Sequence, residues 1–215
     1  WVVGDEVVIS STSHHPHDAE RAIIAGVDRG TGRVLLKEPL QYTHFGATSD
    51  ESFANGKRLD VRAEVGVISG NIRITANRWA VDTYGFGCQV LVTSSGDWAG
   101  SAVLDNVHID KCGQRGSTRY ALNFMHPSEA NVSSVTNCAI TESATSALYV
   151  LGVTDMQIVN NVIYDSRGGS VEIVHSSNIH LEDNLAFVTR LVSGGNQGIC
   201  NFNLCTYDSR RRVSL

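Results

Sequence analysis

Three carboxylates close short apolar runs in the second half of this chain: Asp110, Glu142 and Asp165. Paired carboxylates are the working groups of most glycoside hydrolysis, one donating a proton while the other attacks carbon or activates water. Asp110 and Asp165 each lie four residues after an asparagine, Asn106 and Asn161 respectively. A chain wound so that two turns separate them would set them roughly 10 Å apart, at ~4.8 Å per turn. That is at the long edge of the range for an inverting pair. Arg115, Arg119 and Arg167 supply the cations that carbohydrate sites place beside such acids. The plainer account is that aspartate follows strands because turns favour it, and it is preferred here. His14, His15 and His17 with Asp18 look like a metal cluster. Adjacent strand residues point to opposite faces, so His14 and His15 do not share a site on a strand. Zinc needs three or four ligands. An exposed loop is the better expectation, and no metal is assigned. No G-x-S-x-G, P-loop or dinucleotide fingerprint occurs, so no cofactor is expected.

The elements that would position these groups follow from composition. The 215 residues are 42% apolar and 18% charged, enough for a packed interior. Net charge is −5 and the sequence pI about 5.9, which argues against a nucleic-acid grip built on bulk positive charge. No run approaches the 18 apolar residues needed to span a bilayer as a helix. The chain opens at Trp1 with no initiator methionine, and the expectation is a piece of a longer protein. With 25 valines and 20 glycines among many Ser, Thr and Asn residues, the vocabulary is that of strands and turns. The expected class is all-β.

Residues 1–88 read as an irregular β unit. Glu6 to Ser10 is a strand, and residues 22–27 and 33–36 flank Asp28-Arg29-Gly30-Thr31-Gly32 as a hairpin. Residues 46–58 read as an exposed loop. Between residues 89 and 190 the texture changes to short apolar pieces closed by Asn, Asp, Ser or Gly. Aligned on Asn106, Asn137, Asn161 and Asn184, these repeat at intervals of 31, 24 and 23 residues. The position after each asparagine is Val107, Cys138, Val162 or Leu185, and the third after is Ile109, Ile140, Tyr164 or Phe187. Two inward columns two residues apart fit a strand's period, and repetition near 20–25 residues fits a solenoid. A right-handed parallel β-helix is expected, with the four asparagines as one ladder and a loop within residues 115–129 absorbing the long interval. Residues 191–215 read as an irregular or truncated tail. The five cysteines (Cys88, Cys112, Cys138, Cys200 and Cys205) contain no CxxC pair. They fit either disulfides in an oxidising compartment or buried thiols. Asn131 heads the only N-x-S/T glycosylation sequon.

The opening run Trp1 to Ser13, then Ala19-Glu20, His44-Phe45-Gly46, Arg62 to Val67 and Asn71-Ile72 resemble the segment after the G8 domain in the fibrocystin and fibrocystin-L family. The related cell-migration-inducing hyaluronan-binding proteins share it. The likeness runs from residue 1 to about residue 190, and the Arg62-Ala63-Glu64-Val65-Gly66 run with its nearby Asn71-Ile72 is its most specific part. The resemblance implies a parallel β-helix in a secreted or membrane-anchored glycoprotein, located extracellularly or at the cell surface. The hyaluronan-cleaving relatives carry a histidine-rich stretch followed by Asp, Arg and Gly. The matching stretch here is residues 121–129, where one histidine, His126, stands without the acidic and basic cluster. The expectation is therefore a non-catalytic segment that presents a face to an extracellular protein or glycan, with any membrane association made by other parts of the parent chain. The alternative is a hyaluronan depolymerase or hyaluronan-binding domain. Candidate catalytic residues are Asp110, Asp165 and His126, and candidate ligand-binding residues are Arg115, Arg119 and Arg167.

Overall fold

The computed structural model describes residues 1–46, 62–127 and 132–190, together with the backbone of 204–206. The chain divides into two units, Trp1–Ser69 and Gly70–Leu215. In the first, strands β1 (Glu6–Ile9), β2 (Glu20–Asp28), β3 (Arg33–Leu36) and β4 (Val65–Val67) form one antiparallel sheet in the order β3-β2-β1-β4. Val7, Val8, Ile9, Ala19, Ile24 and Ile68 are buried apolar residues of this unit. The β2–β3 hairpin lies where the glycine-rich turn predicts. The Asp28 carboxylate closes it by accepting from Gly30 N at 2.9 Å and Thr31 Oγ1 at 2.6 Å, and these bonds lower its pKa. His14, His15 and His17 are exposed around a single 3-10 turn, Pro16–Asp18.

The second unit is a parallel β-helix. Its strands are β5 (Ile72–Thr75), β6 (Val90–Thr93), β7 (Val103–Asp105), β8 (Val107–Asp110), β9 (Leu122–Met125), β10 (Ser133–Thr136), β11 (Ala139–Thr141) and β12 (Leu148–Leu151). They continue as β13 (Thr154–Val159), β14 (Val162–Arg167), β15 (Val171–Val174), β16 (Ser177–Glu182), β17 (Leu185–Arg190) and β18 (Leu204–Thr206). Three parallel sheets result, ordered β7-β10-β13-β16, β5-β8-β11-β14-β17 and β6-β9-β12-β15-β18. From β7 onward each strand pairs with the third strand after it, so each coil contributes one strand to each side. The core is three stacked apolar columns. Ile109, Ile140 and Ile163 come from one sheet, Phe124, Val150 and Ile173 from the second, and Val135 and Ile158 from the third. All eight are at most 3% exposed, so this single interior carries the unit's hydrophobic stabilisation.

The break expected at residue 88 falls inside this unit. β5 pairs in parallel with β8, Ile72 opposite Val107, although 35 residues separate them. Seven residues of that interval form a helix, α1 (Arg78–Tyr84), capped by the Asn77 side chain and ended by Gly85 at φ +66°. The helix disguises the coil in the sequence. The long interval after Asn106 is divided between two loops: fourteen residues separate His108 from Leu122, where nine separate their partners Ala139 and Leu148. The remaining excess lies between β9 and β10. The tail is not wholly irregular either, because β18 extends the third sheet beside β15.

The asparagine ladder also differs from expectation. Register places Asn106, Asn137, Asn160 and Asp183 in one column, all with φ between +52° and +56°. The next column inward is Val107, Cys138, Asn161 and Asn184. The cause is a doublet. The first two coils carry one asparagine at this corner, but the next two carry Asn160-Asn161 and Asp183-Asn184. Aligning on the second member of each doublet slips the frame by one residue. On a strand that sends a side chain to the other face. Tyr164 and Phe187 accordingly leave the core column, where Ile163 and Ala186 stand, and meet each other at a centroid distance of 5.3 Å. Chemically the two columns differ. In the outer one, Asn160 Nδ2 donates to Asn137 Oδ1 and Asn137 Nδ2 to Asp105 Oδ1, both at 2.7 Å. In the inner one, Asn161 is buried. It accepts from Cys138 N at 2.9 Å, donates to Val135 O at 2.9 Å, and meets Asn184 Oδ1 through its own backbone and side-chain nitrogens.

Candidate functional site

At the corner just after β8 and β11 and within β14 and β17, successive coils present Lys111, Glu142, Asp165 and Val188, with φ of +57°, +51°, +58° and +57°. Beside this column lies a groove of about 320 Å³, lined by Arg78, Lys111, Arg115, Glu142, Asp165, Arg167 and Arg190, with Val81, Asp82, Ser143 and Ala144. Charged side chains dominate the lining because the inward strand positions are spent on the core.

Asp110 is fully buried. It accepts hydrogen bonds from Lys111 Nζ at 2.6 Å, Arg73 Nη2 at 2.7 Å, Thr141 Oγ1 at 2.8 Å and Thr75 Oγ1 at 3.1 Å. Burial alone pushes the carboxyl pKa up. The donors of Lys111, Arg73 and Thr141 outweigh it and hold the group well below the usual carboxylate range. The Thr141 hydroxyl has one proton and gives it to Asp110, an acceptor only. The 2.8 Å contact between His108 Nε2 and Thr141 Oγ1 is therefore a donation from the imidazole. Glu142 meets Arg78 Nη2 at 3.2 Å and Lys111 Nζ at 3.7 Å. Asp165 accepts from Arg190 Nη2 at 2.6 Å.

Asp110 and Asp165 do not share a column. Asp110 stacks with Thr141 and Tyr164, while Asp165 follows Glu142, and the one-residue frame slip accounts for the difference. His126 stands at another corner, after β9, exposed at φ +45°, its ring packed over Gly152 of the next coil. Arg115 and Arg167 line the groove. Arg119 is exposed and is not among the lining residues. Asn131 lies outside the described residues. Sequence reasoning passed over Arg73, Arg78, His108, Lys111, Thr141 and Arg190. Their signal is the corrected register, which sets Arg73, His108 and Ala139 side by side on one sheet.

The groove is thus a patch of guanidinium and ammonium groups in which the carboxylates of Glu142 and Asp165 are already engaged, while Asp82 is exposed at its α1 edge. Among the described residues, Arg115 and Arg167 meet no carboxylate. Cys88 and Cys112, from neighbouring coils, are joined by a disulfide, and the Cys138 thiol is free and buried, its pKa raised by burial.

The family model described as CEMIP beta-helix matches residues 85–209, more than half of the chain. The chain belongs to that family. Human fibrocystin-L is 30% identical over 193 residues, covering 83% of this chain. Mouse fibrocystin is 25% identical over 189 residues, covering 88% of it. A G8 domain-containing protein of Dictyostelium discoideum is 24% identical over 173 residues, covering 78%. The chain spans about 4% of the length of the fibrocystin-L and fibrocystin relatives and 11% of the Dictyostelium one. The family match begins within the coil that carries α1 and so covers the β-helix, while the matches to the fibrocystins extend beyond it, and the fibrocystin relationship expected from the opening motifs is confirmed.

Proposed function

We propose that this chain is a non-catalytic β-helix segment of the extracellular part of a large membrane glycoprotein, and that its second-corner groove is a binding face for a partner. One observation carries this reading: the groove carboxylates Glu142 and Asp165 are paired with Arg78, Lys111 and Arg190, whereas Arg115 and Arg167 meet no carboxylate among the described residues and are left to meet an outside anion. A glycosidase needs one carboxyl group that holds its proton near neutral pH, which takes a raised pKa. Asp110 is shifted the other way. The Cys88–Cys112 bridge supports an oxidising, extracellular location. Attachment to a membrane would lie in parts of the parent chain beyond these residues.

Hyaluronan cleavage is the rival reading, and one observation favours it. Glu142 and Asp165 occupy successive coils of one column, with backbones roughly 4.8 Å apart, near the carboxyl separation of retaining enzymes. The two readings separate in one assay. The 215-residue chain is incubated with high-molecular-weight hyaluronan, with and without calcium, and polymer length is followed by light scattering. No shortening is expected. Shortening that disappears in an Asp110→Asn, Asp165→Asn double variant or in Glu142→Gln would establish depolymerisation instead.

A further inference from the structure

We infer that the α1 edge of the groove docks a protein partner whose contacting segment carries carboxylates beside apolar side chains. This rests on the binding reading above and gives that face a partner chemistry. The Asn77 cap and the turn at Gly85 hold α1 so that Trp79 and Tyr84 are 64% and 66% exposed, and Phe86, just beyond, is 57% exposed. Large aromatic side chains grouped in solvent mark interaction surfaces. They are tied to the groove. Arg115 N donates to Gly85 O at 2.7 Å, Phe86 pairs with Gln114 in an isolated antiparallel bridge, and a Cβ added at Gly85 would lie 2.5 Å from Arg115 Cβ. Gly85 thus permits a close approach that fixes Arg115 against the aromatic segment.

Trp, Tyr and Arg are the residue types enriched among binding hot spots between proteins. The ring geometry favours a protein over a polysaccharide. The Trp79 and Tyr84 rings lie 5.1 Å apart at 86° to one another. A sugar chain stacks on coplanar ring faces. A perpendicular pair offers a notch between one face and one edge, which fits a branched aliphatic or aromatic side chain. Charge complementarity supplies the rest: Arg115 and Arg167 have no carboxylate among the described residues and can each take a forked carboxylate from outside.

The test uses the 215-residue chain and labelled twelve-residue peptides in which Glu flanks Leu and Phe, with matched peptides carrying Gln for Glu. Hyaluronan oligosaccharides and phosphatidylserine vesicles form the other arms. Anisotropy should show binding of the Glu peptides. It should weaken at least tenfold in Trp79→Ala, in Arg115→Gln with Arg167→Gln, and when Gln replaces Glu, while Trp79→Phe retains most of it. Circular dichroism melts establish that each variant is folded. Absence of peptide binding, binding indifferent to these variants, or variant-sensitive binding of only the oligosaccharide or vesicle would each overturn the inference. Hyaluronan shortening in the assay above would instead overturn the non-catalytic reading itself.

Discussion

Asn137 and Asn161 look interchangeable in the sequence, and the structure makes them opposites. Asn161→Ala removes a buried side chain that satisfies Cys138 N and Val135 O. It also removes one of the two bonds to Asn184 Oδ1, the one from Asn161 Nδ2, while the backbone nitrogen keeps the other. Each buried backbone group stripped of its partner costs about 1–3 kcal/mol. Two such groups plus the lost Nδ2 bond to Asn184 give an expected loss of about 3–5 kcal/mol, which is a large fraction of a domain's stability. Asn137→Gly loses two exposed hydrogen bonds but keeps the left-handed backbone, φ +52°, without strain. Its expected cost is about 1 kcal/mol or less. Urea unfolding followed by circular dichroism reads both, with equal m-values as the check that the same transition is compared. Similar losses in the two variants, or a loss below about 1 kcal/mol for Asn161→Ala, would refute the inner-and-outer column assignment.

Four further outcomes follow from the same geometry. Asp110 has a folded pKa below its unfolded value of about 3.9, so its stabilisation is complete above that pH and fades as acid drives the folded carboxylate to protonate. Asp110→Asn should cost about 1–3 kcal/mol at pH 7 by weakening the buried acceptor shared by Lys111, Arg73 and Thr141, and should flatten the acid limb of a stability–pH curve; an unchanged limb would contradict the assignment. Val188 is a β-branched residue at φ +57°, in a column otherwise filled by Lys111, Glu142 and Asp165. Val188→Asn should therefore relieve about 1 kcal/mol of backbone strain and raise the melting temperature by roughly 2–4 °C; a lower melting temperature would show that side-chain packing outweighs the strain. Replacing Cys88 and Cys112 together by Ala should cost about 3 kcal/mol, since the bridge closes a loop of 24 residues in sequence separation. Thiol titration of the native chain should find Cys138 unreactive until it unfolds, since it is buried and hard to ionise.

What could be read from residues alone was whatever depends on local chemistry. Repeats of 23–24 residues, apolar positions two apart, turn-forming asparagines and the Asp28–Gly32 hairpin all sit in short windows, so the parallel β-helix and the β2–β3 turn were legible. The family resemblance was legible for the same reason, being carried by short motifs. Register was not. The Asn160-Asn161 doublet leaves composition and period almost untouched, yet aligning on its second member exchanges the faces assigned to β14 and β17. Whether Asp165 stacks on Asp110 or on Glu142, and whether Tyr164 or Ile163 is core, is decided by which hydrogen bonds form between coils. α1 was hidden because its seven residues interrupt a coil whose two strands, β5 and β6, pair only with chain far downstream. The groove's character followed the same path: Arg73, Lys111 and Thr141 converge on Asp110 across three coils. Such contacts depend on stacking at ~4.8 Å between coils, a distance that residue spacing along the chain does not encode when loops of unequal length intervene.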